Sequence, residues 1–159
     1  MTTQQQIRDA IKARLSKIAA GRGGRAFTPD AVVTYSQFPD VPLVESSFRT
    51  IYGIRPIREE EQFKKPDTCY VTCDLTLAVA MWRRLESADE SPYVAGPDRW
   101  DMQAEMARDI SQQIVEDMTF EGHAQWVTGM STDYERYLPE WACAEATFTV
   151  RYLYDVGAR

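Results

Sequence analysis

From Cys69 to Trp82 (CYVTCDLTLAVAMW) the chain alternates between two faces for fourteen residues without a break. Cys69, Val71, Cys73, Leu75, Leu77, Val79 and Met81 fall on one face, and Tyr70, Thr72, Asp74, Thr76, Ala78, Ala80 and Trp82 on the other. Only an extended strand repeats every second residue, so this segment is not helical. An aliphatic face backed by a mixed one fits an antiparallel sheet with one side on a core. Strands commonly run about three to ten residues, so this one is expected to project past its own domain or to meet a neighbouring subunit. Asp74 marks the second face as solvent-facing, lumen-facing or partner-facing rather than core.

The remaining elements arrange themselves around that strand. Residues 142–155 alternate in the same way, with Ala144, Ala146, Phe148, Val150, Tyr152 and Tyr154 set against Glu145, Thr147, Thr149 and Arg151. Shorter strands are expected at Ala31–Tyr35, at Phe48–Ile57 with Gly53 as a bulge, and around Gln125–Val127. Residues 3–20 read as a helix whose apolar stripe is Ile7, Ile11, Leu15 and Ile18, opened by a Thr3/Gln6 capping box and ended by Gly21. Asp98 caps a second helix running to about Met118. Its expected core stripe is Trp100, Ala107, Ile110, Ile114 and Met118 with Met106 beside them, and Arg108, Asp109, Gln112, Gln113, Glu116 and Asp117 turned away. Residues 21–30, 58–67, 83–97 and 131–140 read as loops, the second of them as an exposed loop or ragged hairpin. This order predicts an α+β fold: a mostly antiparallel sheet of four to six strands, with two amphipathic helices packed on one face. Successive strands without crossover helices argue against a doubly wound parallel sheet.

A chain of 159 residues is enough for a single domain spanning 1–159. Four Trp, eight Tyr and six Phe supply enough buried area for a core without metal or disulfide. The net charge of −6 and pI near 4.9 argue against a surface built as a whole to wrap phosphate backbones. No run approaches the ~20 apolar residues of a membrane span, and MTTQQQIRDAIKARL does not read as a secretory leader. The expected setting is the cytoplasm or a particle assembled there. Three cysteines, an odd count, fit a reducing compartment.

Each cluster of reactive residue types also has a plain structural role. Cys69 and Cys73 would make half of a metal site, but the single histidine, His123, is remote in sequence, so both are expected as small buried hydrophobes. Gly21-Arg22-Gly23-Gly24-Arg25 lacks the lysine and the strand-to-helix order of a phosphate loop and reads as a helix cap and connection. His123 would need Asp74, Asp133 or Glu145 within reach to act as a general base, which sequence does not place there, and in a Gly-His-Ala turn it is expected as a polar surface residue. Glu59-Glu60-Glu61, followed by Lys64 and Lys65, is a solvated charged loop or an acidic contact surface. Trp82-Arg83-Arg84, Trp100, Tyr134, Tyr137 and Trp141 gather the residue types that populate interface centres. No catalytic residue, cofactor or metal is expected; the function is expected to lie in the surfaces.

The succession IRDAIKARLSKI, REEEQFKK, VTCDLTLAVAMW, DRWDMQAEMARDISQQIVEDM and AEATFTVRYLYD resembles the tail terminator proteins of long-tailed bacteriophages over nearly the whole chain. The resemblance implies a homo-oligomeric ring, typically of six subunits, in the virion neck. It would stop growth of the tail tube protein and offer a docking surface to the head-completion or connector protein. DNA would pass through the bore without base recognition, and no cofactor or membrane would be involved. An acidic chain suits such a conduit, since a negative wall does not grip a moving duplex. The implied contact surfaces are the hairpin with Arg55, Arg58, Glu59, Glu60, Glu61, Lys64 and Lys65, the loop with Arg22 and Arg25, and the aromatic positions Trp82, Tyr134, Tyr137 and Trp141. Three other readings compete: another head–tail neck component, a cone-shaped α+β enzyme or ligand-binding module with Asp74 or His123 as base, and nucleic-acid binding through Arg22, Arg25, Lys64 and Lys65.

Overall fold

The computed structural model describes residues 2–18, 29–34, 49–62, 70–84, 99–134 and 141–155. The elements in chain order are α1 (Thr3–Leu15), β1 (Ala31–Thr34), β2 (Thr50–Gln62), β3 (Tyr70–Arg84), α2 (Arg99–Glu116), β4 (Trp126–Val127), β5 (Ser131–Asp133) and β6 (Trp141–Asp155). The six strands form one mixed, mostly antiparallel sheet in the order β1-β2-β3-β6-β4, with β5 also on β6. This is an α+β fold, as the alternation and the two striped helices predict.

β3 and β6 pair without a register break from Tyr70↔Asp155 to Arg84↔Trp141, so the two long alternating segments are neighbours. Their shared aliphatic face carries the core. Leu75, Leu77, Val79 and Met81 meet Ala144, Ala146, Phe148 and Val150 there, under Ile7, Ile11 and Leu15 of α1 and Met106 and Ile110 of α2. β2 adds Tyr52 and Ile54 to the same cluster.

Several expectations are corrected. The helix cap is Thr2, not Thr3: its hydroxyl accepts from the Gln5 amide at 3.2 Å, and its own amide donates to Gln5 Oε1 at 2.8 Å. The helix stops at Leu15 rather than residue 20, where the Ser16 hydroxyl donates to the Lys12 carbonyl and the chain turns. β2 runs on to Gln62 through residues expected as an exposed loop or ragged hairpin, because β3 supplies an antiparallel partner as far as Thr72↔Gln62. The bulge in β2 falls between Pro56 and Arg58, not at Gly53, which pairs in register with Ala80. Proline has no amide to give the ladder, and a bulge beside it accommodates that. Ser131–Asp133, expected in a loop, is a short strand on β6. β1 pairs parallel to β2, and residues 35–49 between them leave room for the crossover that a parallel pair requires.

On α2 the buried stripe is Met102, Gln103, Met106, Ala107, Ile110, Gln113 and Ile114, while Trp100 and Met118 are exposed. The helical period selects this stripe, and the two large apolar residues at its ends fall outside it. Gln103 is buried because its amide donates to the Cys143 carbonyl at 2.5 Å, tying α2 to β6. Asp98, the expected cap, lies outside the described residues.

The reverse face of the sheet is not wholly open. At the β1 end, Ile51, Ala80, Trp82, Trp141 and Cys143 form a second buried cluster with Ala31 and Val33 packed against it. At the other end the reverse face exposes Tyr70 and Leu153. The expectation of an uncovered face therefore holds for only part of its length.

Candidate contact surfaces

Three arrangements on the described residues are built with polar or charged groups: the reverse face of the sheet, the junction of the two helices, and the exposed edge of β2 from Arg58 to Gln62.

On the reverse face, strand register sets charged groups beside one another. Asp74 and Arg151 are direct partners across β3 and β6. Arg151 donates Nε to Oδ1 at 2.7 Å and Nη2 to Oδ2 at 2.9 Å, and its guanidinium lies 4.8 Å from the centre of the Trp126 ring. The bond to Asp74 raises the pKa of Arg151 further. Gln62 at the end of β2 donates to the same carboxylate at 3.2 Å. Next along, the hydroxyls of Thr76 and Thr149 sit 3.0 Å apart. Farther on, Arg55 reaches from β2 across β3 to Glu145 on β6, with contacts of 3.0 and 3.1 Å to its two oxygens. Paired planar groups of this kind hold orientation as well as charge. Their carboxylates are therefore committed acceptors and not free bases.

At the helix junction, Arg14 of α1 closes the end of α2. Its Nη1 donates to the carbonyls of Gln113 and Asp117, its Nη2 donates to the Asp117 carboxylate at 3.0 Å, and its guanidinium stacks 4.8 Å from the Phe120 ring centre. A cation at the carbonyl end of a helix satisfies groups that have no intrahelical partner. Asp117 in turn accepts from the Thr119 hydroxyl, the Thr119 amide at 3.0 Å and the Glu121 amide at 2.9 Å. These bonds, the hydroxyl first, hold its carboxyl at about 2. The chain then turns through three residues with positive φ, Phe120, Glu121 and Gly122.

Along the β2 edge, Arg58 through Gln62 are all exposed. Arg58 Nε approaches Glu60 at 3.7 Å, a loose pair. Glu59 faces the helix side and accepts from the Tyr152 hydroxyl, which itself neighbours Cys73. Burial and then Glu59 drive the Tyr152 pKa well up. Burial likewise pushes the Cys73 thiol up to about 11.

The residues singled out in the sequence separate accordingly. Arg58, Glu59, Glu60 and Glu61 stand on the exposed edge of β2 and Tyr134 is exposed, while Arg55 is held by Glu145. Trp82 and Trp141, expected at a contact surface, are core residues of the second cluster, Trp82 with no accessible surface at all. Arg22, Arg25, Lys64, Lys65 and Tyr137 lie outside the described residues, as does Cys69. His123 sits half-buried in the turn after α2, its amide donating to the Phe120 carbonyl at 3.3 Å. Among the described residues, no group of three or more His, Cys, Asp or Glu side chains comes together to hold a metal ion. Among the same residues, no helix is long and apolar enough to cross a membrane. Arg14, Asp117, Glu145 and Arg151 escaped the sequence reading as paired groups. The one available signal was that Glu145 and Arg151 share the polar face of the last strand, as Asp74 does in the long one.

No protein-family model matches the chain, and no curated protein matches it either.

Proposed function

We propose that this chain is a structural protein of a virion neck, forming a ring of identical subunits that caps a tail tube, ends its polymerisation and joins tail to head connector. The likeness of its element order to tail terminators prompts the reading, and the shape of the sheet carries it. β3 and β6 are each 15 residues long, or ~50 Å at ~3.3 Å per residue. β2 accompanies them, yet its last residues, from Arg58 onward, are exposed and contribute little to the core. β1 pairs only with Ile51–Ile54 of β2, so from Arg58 onward β2 is a charged edge of the sheet among the described residues. In an assembly it reaches the next subunit or the tube, and its charges discourage unwanted strand pairing meanwhile. The test is native mass by light scattering over a range of concentrations, followed by electron microscopy. A discrete ring supports the reading, whereas a dimer with a tightly bound small molecule replaces it.

The second reading, a ligand-binding or catalytic module, draws on a groove of about 460 Å³ lined by Gln4, Gln5, Arg8, Thr34, Ile54, Pro56 and Leu77. That lining lacks both candidate bases: Asp74 is held by Arg151 on the reverse face and His123 lies in the turn after α2. The observations favour the assembly role.

A further inference from the structure

The two borders of the sheet are built differently. The outer side of β6 is taken by β4 at Val150 and Arg151 and by β5 from Glu145 to Thr147. The outer side of β2 is taken by β1 only from Ile51 to Ile54. Beyond the bulge between Pro56 and Arg58, β2 runs on through Arg58, Glu59, Glu60, Glu61 and Gln62. All five are exposed, and among the described residues no strand lies outside them.

An exposed edge strand invites strand addition, and prolines, bulges or charges commonly blunt it. Pro56 and the bulge come before Arg58, so charge alone guards the last five residues. One cation stands there against three carboxylates. Register divides them: Glu59 and Glu61 lie opposite Leu75 and Cys73 on the helix side, and Arg58 and Glu60 opposite Thr76 and Asp74 on the reverse side. Arg58 approaches Glu60 at 3.7 Å. The edge's own cation thus serves the reverse side, while the helix side carries two carboxylates. The edge is also held in place across β3. The Tyr152 hydroxyl donates to Glu59 Oε1, and Gln62 donates to Asp74 at 3.2 Å. Ordering exposed residues costs conformational entropy, and an edge ordered beforehand spares an incoming strand that cost.

We infer that the edge from Arg58 to Gln62 takes a basic extended segment of a different protein into the sheet as a further strand, its Lys or Arg side chains at alternate positions beside Glu59 and Glu61. In such additions the backbone hydrogen bonds give affinity, and alternate side chains give selection. The same charges turn away this chain's own edges. A second β2 edge doubles the acidic excess, and β1, β4 and β5 carry neither Lys nor Arg. The inference goes beyond the ring reading, since the edge serves any protein that brings such a strand.

The probe is a short synthetic peptide alternating lysine with threonine. It is compared with its glutamate counterpart and with a fully N-methylated form, which keeps the charge but cannot join a ladder. Nuclear magnetic resonance titration of the full chain at low salt reads affinity, and amide hydrogen exchange reads the place. The lysine peptide is expected to bind and to slow exchange within residues 58–62, with both comparison peptides roughly ten-fold weaker or more. Glu59→Gln with Glu61→Gln keeps an oxygen for Tyr152 and should weaken binding about ten-fold. Glu116→Gln with Glu121→Gln removes the same charge from exposed positions elsewhere and should leave binding unchanged. Thermal melts check that both variants are folded. Equal binding of the N-methylated peptide, or equal loss in the two variants, means adhesion to negative charge and overturns the inference. Failure of the lysine peptide to bind at millimolar concentration overturns it too, and leaves the ring standing if rings form. Uptake at this edge by a chain that forms no ring upholds the inference and removes the ring alone.

Discussion

Arg151 holds Asp74 by two parallel bonds, of 2.7 and 2.9 Å, between residues directly opposite one another on the two longest strands. With side-chain exposures of 24% and 17%, the pair is shielded enough for its loss to be felt. A mid-strand aspartate that looks like a stray reactive group is thereby a cross-strand tie. Asp74→Ala is expected to lower stability by about 1.5–3 kcal/mol, the range for hydrogen bonds to charged groups. Adding Arg151→Ala should cost clearly less than the sum of the two single changes, because both remove one interaction. Urea unfolding of the four proteins checks this.

Phe120 is fully buried although its φ is 49°, in the left-handed region that bulky residues avoid. Its ring under Arg14 and in the core outweighs that cost. Phe120→Ala should destabilise by about 3–5 kcal/mol through the cavity it leaves. Exposed Glu121, at φ 63°, pays the same backbone cost without burying anything. Glu121→Gly is therefore expected to raise stability by about 0.5–1 kcal/mol. Thermal melts of the two variants should move in opposite directions.

Much of the fold is legible in the sequence, for identifiable reasons. Period-two alternation is local, so Tyr70–Trp82 and residues 142–155 could be recognised as long strands, and Asp74 told the two faces of the first apart. What depends on a partner was not legible. Arg58-Glu59-Glu60-Glu61 has the composition of a loop and becomes strand only because β3 lies beside it. The parallel direction of β1 leaves no mark on its pattern. Trp82 sits on a face that Asp74 marked as polar, yet that face changes character along its length and buries Trp82 at the β1 end. The tie from Asp74 to Arg151 needs the register of β3 against β6, which neither strand specifies alone.

Acid should loosen the helix junction. The Asp117 carboxyl is held at about 2 in the fold, below its ordinary value of about 3.9. A depressed folded pKa stabilises the fold above about pH 4, and the contribution is lost as pH falls toward 2. Asp117→Asn should flatten stability against pH within that window and leave the profile above it parallel to wild type. Denaturant midpoints measured from pH 6 to pH 2 check the sign.

Cys73 and Cys143 are both buried, and the Cys73 thiol is pushed up to about 11. Burial shields both, and little Cys73 thiolate exists near neutrality, so both should resist alkylation in the folded chain. In a Cys69→Ser background, iodoacetamide labelling at pH 8 should track the unfolded fraction in urea. Fast labelling of the native protein would refute the packing described for β3 and β6.

The claim that this is an assembly subunit is tested most directly by adding the purified chain to tail tubes as they polymerise and imaging them. The account predicts shortened tubes bearing a ring of identical subunits at one end. Tubes of undiminished length with bare ends, in the presence of excess folded protein, would contradict it.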